Sequence, residues 1–159
     1  MERSVRPRIL IVDSYKSHSA MLSDHLQELS PAIEIFSATE GREALSIAAN
    51  KDVHLFLVHG FLKGPLNAFE LCRAVRRLGA YQHTPVILML SGHLIHDHAR
   101  GLAAGVDLFL HVPVEKQELW RMVVLLLNEA SHRRKPTTAS VEDAEIEVIE
   151  PKSALRLLH

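Results

Sequence analysis

Short, wholly apolar runs alternate with amphipathic stretches along the chain. The run at its middle is His54–Gly60, His-Leu-Phe-Leu-Val-His-Gly, where Leu55 to Val58 lie between Asn50-Lys51-Asp52 and Gly60. It is too short for a helix and too apolar for a half-exposed strand, so it predicts a strand buried on both faces of a parallel sheet. Ile9-Leu10-Ile11-Val12, closed by Asp13, and Pro85–Leu90 repeat the pattern. Ile33–Ser37 roughly alternates, as an edge strand does, and Val106–His111 supplies a fifth strand. Between the strands, apolar residues recur at helical spacing. The first helix runs from Ser17, an expected N-cap, to Leu29, with Met21, Leu22, His25, Leu26 and Leu29 inward. Thr39 is the expected cap of Glu40–Ala49, which turns Ala44, Leu45 and Ala48 inward. Asn67 caps a third helix with Phe69, Leu71, Cys72 and Val75 on its apolar face. His96–Ala104 is a short helix ended by Gly105, an expected left-handed C-cap, and Pro113 opens Val114–Glu129. Strand and helix alternate five times, which predicts a doubly wound α/β sheet with helices on both faces. In such sheets, ligands gather beyond the carboxyl ends of the strands, so His59 at the end of the central run is the first candidate for chemistry.

Composition narrows the function classes. A formal net charge of −1 gives no bulk electrostatic case for nucleic acid or an acidic membrane. The single cysteine, Cys72, excludes an internal disulfide and fits a reducing compartment. No apolar run approaches the ~20 residues of a membrane span, and Ile9–Val12 is too short for a secretory signal. The expectation is a cytoplasmic protein. After Ser131 the composition changes: Arg133–Thr138 reads as a solvated linker, Val141–Glu150 is acidic, and Ser153–His159 is a short amphipathic end. Glu145–Ile149 has two readings, a strand that augments a sheet edge or part of an extended acidic tail. The expected division is a domain over residues 8–130 and a linker and tail over 131–159.

Several of these segments, taken together, resemble one family. Ile9–Asp13, Phe69-Glu70-Leu71-Cys72-Arg73, Pro85–Ser91, Arg100–Asp107 and Pro113 look like the receiver domain of two-component response regulators, over roughly residues 8–130. The resemblance implies a single flavodoxin-like (βα)5 domain whose five parallel strands run in the order 2-1-3-4-5. It also implies a phosphoryl-accepting aspartate at the end of the third strand and two acidic residues after the first strand that hold Mg²⁺. A Ser or Thr would end the fourth strand, and a lysine would precede the proline after the fifth. Laid on this sequence, the first acid matches Asp13 and the second falls on Ser14. The acceptor falls on His59, or on Gly60 if the loop is shifted, and the hydroxyl matches Ser91. The lysine falls on Val112, and the family's switch aromatic matches Phe109. A lone carboxylate is a poor Mg²⁺ site, and Val112 cannot pair with phosphoryl oxygens. The expectation is a pseudo-receiver, not an enzyme, with no cofactor and a vestigial pocket at Asp13, Ser14, His59, Ser91 and Val112.

Eleven histidines raise a second chemistry. His93, His96 and His98 follow the fourth strand and, with Asp13 and His59, have the residue types of a zinc site. Their spacing spans a helix start, so all three cannot point one way. They read as solvated, with no metal; alternation with Val112 turns His111 to the opposite sheet face. The last helix carries the interaction signal. Leu119, Val123, Leu126 and Leu127 form an inward stripe, leaving Trp120, Val124 and Leu125 on a flank that needs another cover. Two covers are open, the chain's own tail or a partner surface. The functional expectation is a signalling adaptor that binds protein partners of a bacterial pathway through its fourth helix, fifth strand and fifth helix. A homodimer through that face is the related option. The alternatives are a regulator phosphorylated at His59 and a domain that binds a metal or small ligand in the pocket.

Overall fold

A computed structural model describes residues 6–92 and 95–134. Its sheet is parallel, with five strands: β1 (Arg8–Val12), β2 (Glu34–Ala38), β3 (Leu55–His59), β4 (Val86–Ser91) and β5 (Leu108–Val112). The order is β2-β1-β3-β4-β5, as expected. The helices are α1 (Lys16–Leu29), α2 (Gly41–Asn50), α3 (Ala68–Arg77), α4 (Ile95–Ala104) and α5 (Lys116–Arg134), with one 3₁₀ turn at Gly79–Tyr81.

Side-chain alternation divides the core into two layers. Ile9, Ile11, Leu55, Leu57, Ile87, Met89 and Leu110 pack with α1 and α5. Leu10, Val12, Phe56, Val58, Val86, Leu88 and Leu90 pack with α2, α3 and α4. Strands β1 and β3 are covered on both sides, which is why neither alternates in sequence. Strand β2 pairs only with β1 and is half-exposed, as its alternating sequence predicts.

Several element ends differ from the sequence reading. Helix α1 starts before Ser17, with Tyr15 at its N-cap and no side-chain cap. Asp13 causes this by accepting the Tyr15 N–H (2.9 Å), which turns the chain early. Glu40, not Thr39, caps α2, because the Thr39 hydroxyl donates to Glu43 Oε2 (3.3 Å) instead. The Asn67 cap of α3 is present as a full capping box with Glu70. Strand β5 begins two residues later than expected, since the Val106 N–H closes the α4 turn on Gly101 O (3.0 Å). Gly105 takes the left-handed conformation at φ +95°. The Val112–Pro113 peptide is cis. Helix α5 runs on to Arg134, so the helix includes the first residues assigned to the linker. The expected acidic segment 141–150, its strand 145–149 and the amphipathic end 153–159 lie outside the described residues.

Candidate functional site

The carboxyl ends of β1 and β3 sit side by side because the strands pair in register, Val12 with Val58. Each is followed by one polar residue, Asp13 and His59, and both are buried. His59 is the residue that ends β3, paired with Met89 of β4. Gly60 cannot share that role. Its N–H donates to Met89 O (2.6 Å), and a Cβ there would stand 2.9 Å from the same carbonyl oxygen and 2.7 Å from Leu90 Cδ2.

Asp13 is fully buried, and its two oxygens are both engaged. Oδ1 accepts from the Tyr15 backbone, and Oδ2 is in close contact with Nδ1 of His18. His18 lies in the first turn of α1, one turn beyond the loop that Asp13 itself organises. The His59 ring is held by the Phe61 backbone, whose N–H and carbonyl oxygen both lie 3.1 Å from Nδ1. It also packs edge-on against Tyr15 (5.8 Å between centroids) and His18 (5.6 Å). Ligand atoms of Asp13, His18 and His59 all lie within 4.8 Å of one another. A cleft of about 500 Å³ borders the group, lined by Asp13, Lys16, Ser19, Ser37, Thr39 and Glu43 among others.

The remaining pocket positions do other work. Ser14 donates to Thr39 O (2.7 Å) and accepts from Lys63 N–H (2.9 Å), tying the loop after β1 to those after β2 and β3. Ser91 is exposed at the end of β4. Val112 packs into the α1–α5 layer. Phe109 lies against α4, so close to Gly101 that a Cβ there would meet its ring at 2.5 Å. This donor set does not fit Mg²⁺, which needs near-octahedral oxygen coordination, because it offers one carboxylate and two imidazoles.

The histidines near Asp13 and His59 are not those weighed from the sequence. Among the described residues, His18 completes the cluster around Asp13 and His59, and neither His96 nor His98 does. His96 is exposed. His98 rings against Phe109 (4.6 Å) and His111 (5.4 Å) on the α4 side, where alternation put His111. His93 lies outside the described residues. His18 went unnoticed in the sequence, although its spacing five residues after Asp13, across a loop and one helical turn, was the available signal.

The interface expectation for Trp120 and Val124 is overturned. Both are buried, at 3% and 6% exposure, in the layer between the sheet, α1 and α5. The Trp120 indole N–H donates to His25 O of α1 (2.6 Å), and Lys116 Nζ lies over the ring at 5.1 Å. Among the described residues the cover is α1. Of the expected flank only Leu125 is exposed, at 47%.

The model of the response regulator receiver domain family matches residues 9–124. Transcriptional regulatory protein TcrA of Mycobacterium tuberculosis is 26% identical over 156 residues, which are 96% of this chain and 60% of TcrA. The chain therefore spans less than two thirds of that relative's length. The chemotaxis response regulator CheY4 of Vibrio cholerae superposes with a TM-score of 0.71 at 24% identity, over 77% of this chain and 99% of CheY4. A CheY-like receiver domain protein from Methanospirillum hungatei gives 0.74 at 22%, over 82% and 99%. The structures share the fold, with the strand order and the five helices described above. With a family match over most of its length and that fold beneath it, the chain belongs to the response regulator receiver domain family.

Proposed function

We propose that the protein is a pseudo-receiver, a non-enzymatic signalling adaptor that works in the cytoplasm without aspartyl phosphorylation. One observation carries this reading: the central strand ends on an imidazole, His59, and the neighbouring carboxylate of Asp13 is already paired with His18. Phosphoryl transfer to a receiver needs an acceptor carboxylate beside a bound divalent cation, and a cationic side chain to neutralise the new oxygens. Here the acceptor position is His59 and the cationic position is Val112. What remains of the family's function is its capacity to bind other signalling proteins. The face assigned to that task is formed by α4, β5 and α5. With Trp120 and Val124 internal, its exposed apolar residues are Ile95 and Leu102 on α4 and Leu125 on α5.

The test has two arms. Incubation with acetyl phosphate and Mg²⁺, read by intact mass, is expected to add no phosphoryl group. Addition of one, lost on His59→Ala, would replace this reading with that of a regulator phosphorylated at His59. In the second arm, Ile95→Glu with Leu125→Glu should abolish capture of a protein that the wild type retains from its native cell. Retention by the double variant would remove the binding face.

A further inference from the structure

We propose that Asp13, His18 and His59 form a binding site for a first-row transition-metal dication of the Zn²⁺ or Co²⁺ class. The proposal rests on the reading that this pocket carries no phosphoryl group. Three potential ligands from three separate parts of the fold converge there, the end of β1, the first turn of α1 and the end of β3. Their ligand atoms lie within 4.8 Å of one another. Tetrahedral Zn²⁺ with bonds of ~2.0–2.1 Å sets its ligands about 3.3 Å apart, so closure asks for movements of roughly 1.5 Å or less.

Two further observations favour a metal over a merely packed cluster. His18 Nε2 is buried and makes no hydrogen bond. An imidazole nitrogen in that condition pays a desolvation cost that a metal bond would remove. The rings are also held before any metal arrives. His59 is fixed by the Phe61 backbone, and His18 by its Nδ1 contact with Asp13, a contact that the carboxylate gives up to become a ligand when the metal binds. Ligand chemistry then selects the metal. Imidazole nitrogens suit Zn²⁺, Co²⁺, Ni²⁺ and Cu²⁺, whereas one carboxylate does not hold Mg²⁺. With three protein ligands, a fourth position stays open to water or to a side chain of a partner. Metal binding replaces any proton on the ligating nitrogens, which leaves to solvent.

The experiment uses the full chain, free of any affinity tag and stripped with a chelator. Titration with Co²⁺ should give one tight equivalent, with the intense visible absorption of a tetrahedral site, and Zn²⁺ should displace it where millimolar Mg²⁺ does not. His18→Gln and His59→Gln should each weaken binding at least ten-fold, while His96→Gln with His98→Gln should leave it unchanged. A second measurement does not depend on variants: Zn²⁺ added to ¹⁵N-labelled wild type should shift the ring nitrogens of His18 and His59. Lack of stoichiometric binding, or binding that moves only with other histidines, would overturn the site. Phosphoryl uptake from acetyl phosphate and Mg²⁺ by protein free of transition metal is the separate outcome that would overturn the reading beneath it. Failure of metal binding with no phosphoryl uptake counts against the metal site alone.

Discussion

Ser14 and His18 show how single side chains redefine a pocket. The Ser14 hydroxyl spends both its donor and its acceptor capacity on loop backbone. The position has become a strap between loops. His18 supplies the buried Asp13 carboxylate with a partner from within the chain. Cys72 is the opposite case, a reactive residue type made inert. It is buried in α3, and burial pushes its thiol up to about 12, against the smaller opposing influence of Arg76 and Arg73. Thiol reagents attack the thiolate, so at pH 8 the native protein should leave Cys72 unmodified. The same reagent in 6 M guanidinium should modify it fully. Rapid labelling of the native state would show that α3 opens, or that the thiol is not held protonated.

Helix α5 carries apolar residues nearly all round because two surfaces cover it. The sheet takes Leu119, Val123 and Leu127, and α1 closes over Trp120. Lys116 adds an ion pair with Glu28 of α1 (3.0 Å) at the exposed edge of the same seam. Truncating a buried aromatic costs about 3–5 kcal/mol through lost transfer energy and the cavity left behind. Trp120→Ala should therefore lower stability by that amount in urea unfolding. Leu125→Ala, at a half-exposed position of the same helix, should stay within about 0.5 kcal/mol. Equal effects of the two would place Trp120 outside the core. Helix α4 makes its own close approach through Gly101, where the absent Cβ leaves room for the Phe109 ring.

The molecule is held at its two ends by different means. At the carboxyl ends of the strands, loops are linked by Asp13, Ser14 and His59. At the opposite end, the Arg76 guanidinium donates to the carbonyls of Tyr81 (2.9 Å), Thr84 (2.6 Å) and Gly105 (2.7 Å) and to the Asp107 carboxylate (2.7 Å). That one side chain joins α3 to the entrances of β4 and β5. Tyr81 extends the lock by donating its hydroxyl toward the carbonyls closing α2, Ala48 (2.6 Å) and Lys51 (2.5 Å). Among the described residues, α1 closes the core over Trp120. Removal of residues 135–159 should leave tryptophan emission at its blue position and the melting temperature within a few degrees. A red shift on truncation would return the tail to its role as the cover.

Much of the fold was legible along the chain. Runs such as Leu55–Val58 are apolar at every position because parallel strands are buried on both faces, and that signal needs no partner to be read. Asn67 and Gly105 announced helix ends through local chemistry alone, a capping side chain and a positive φ. The residues His59 and Asp13 were found for the same reason, since the end of a strand is a local property. Thr39 misled because its hydroxyl bonds to Glu43 and not to the helix backbone, and Ser17 because Asp13, by taking the Tyr15 N–H, starts the helix before it. Helical periodicity gave the stripe through Leu119 and Leu127 but not its width. Whether Trp120 lies inside or outside depends on how far α1 leans across α5, a distance between elements far apart in sequence. The meeting of His18 with Asp13 and His59 is of the same kind. Residue types name possible ligands, but only the parallel pairing of β1 with β3, and α1 laid against that edge, brings the three together.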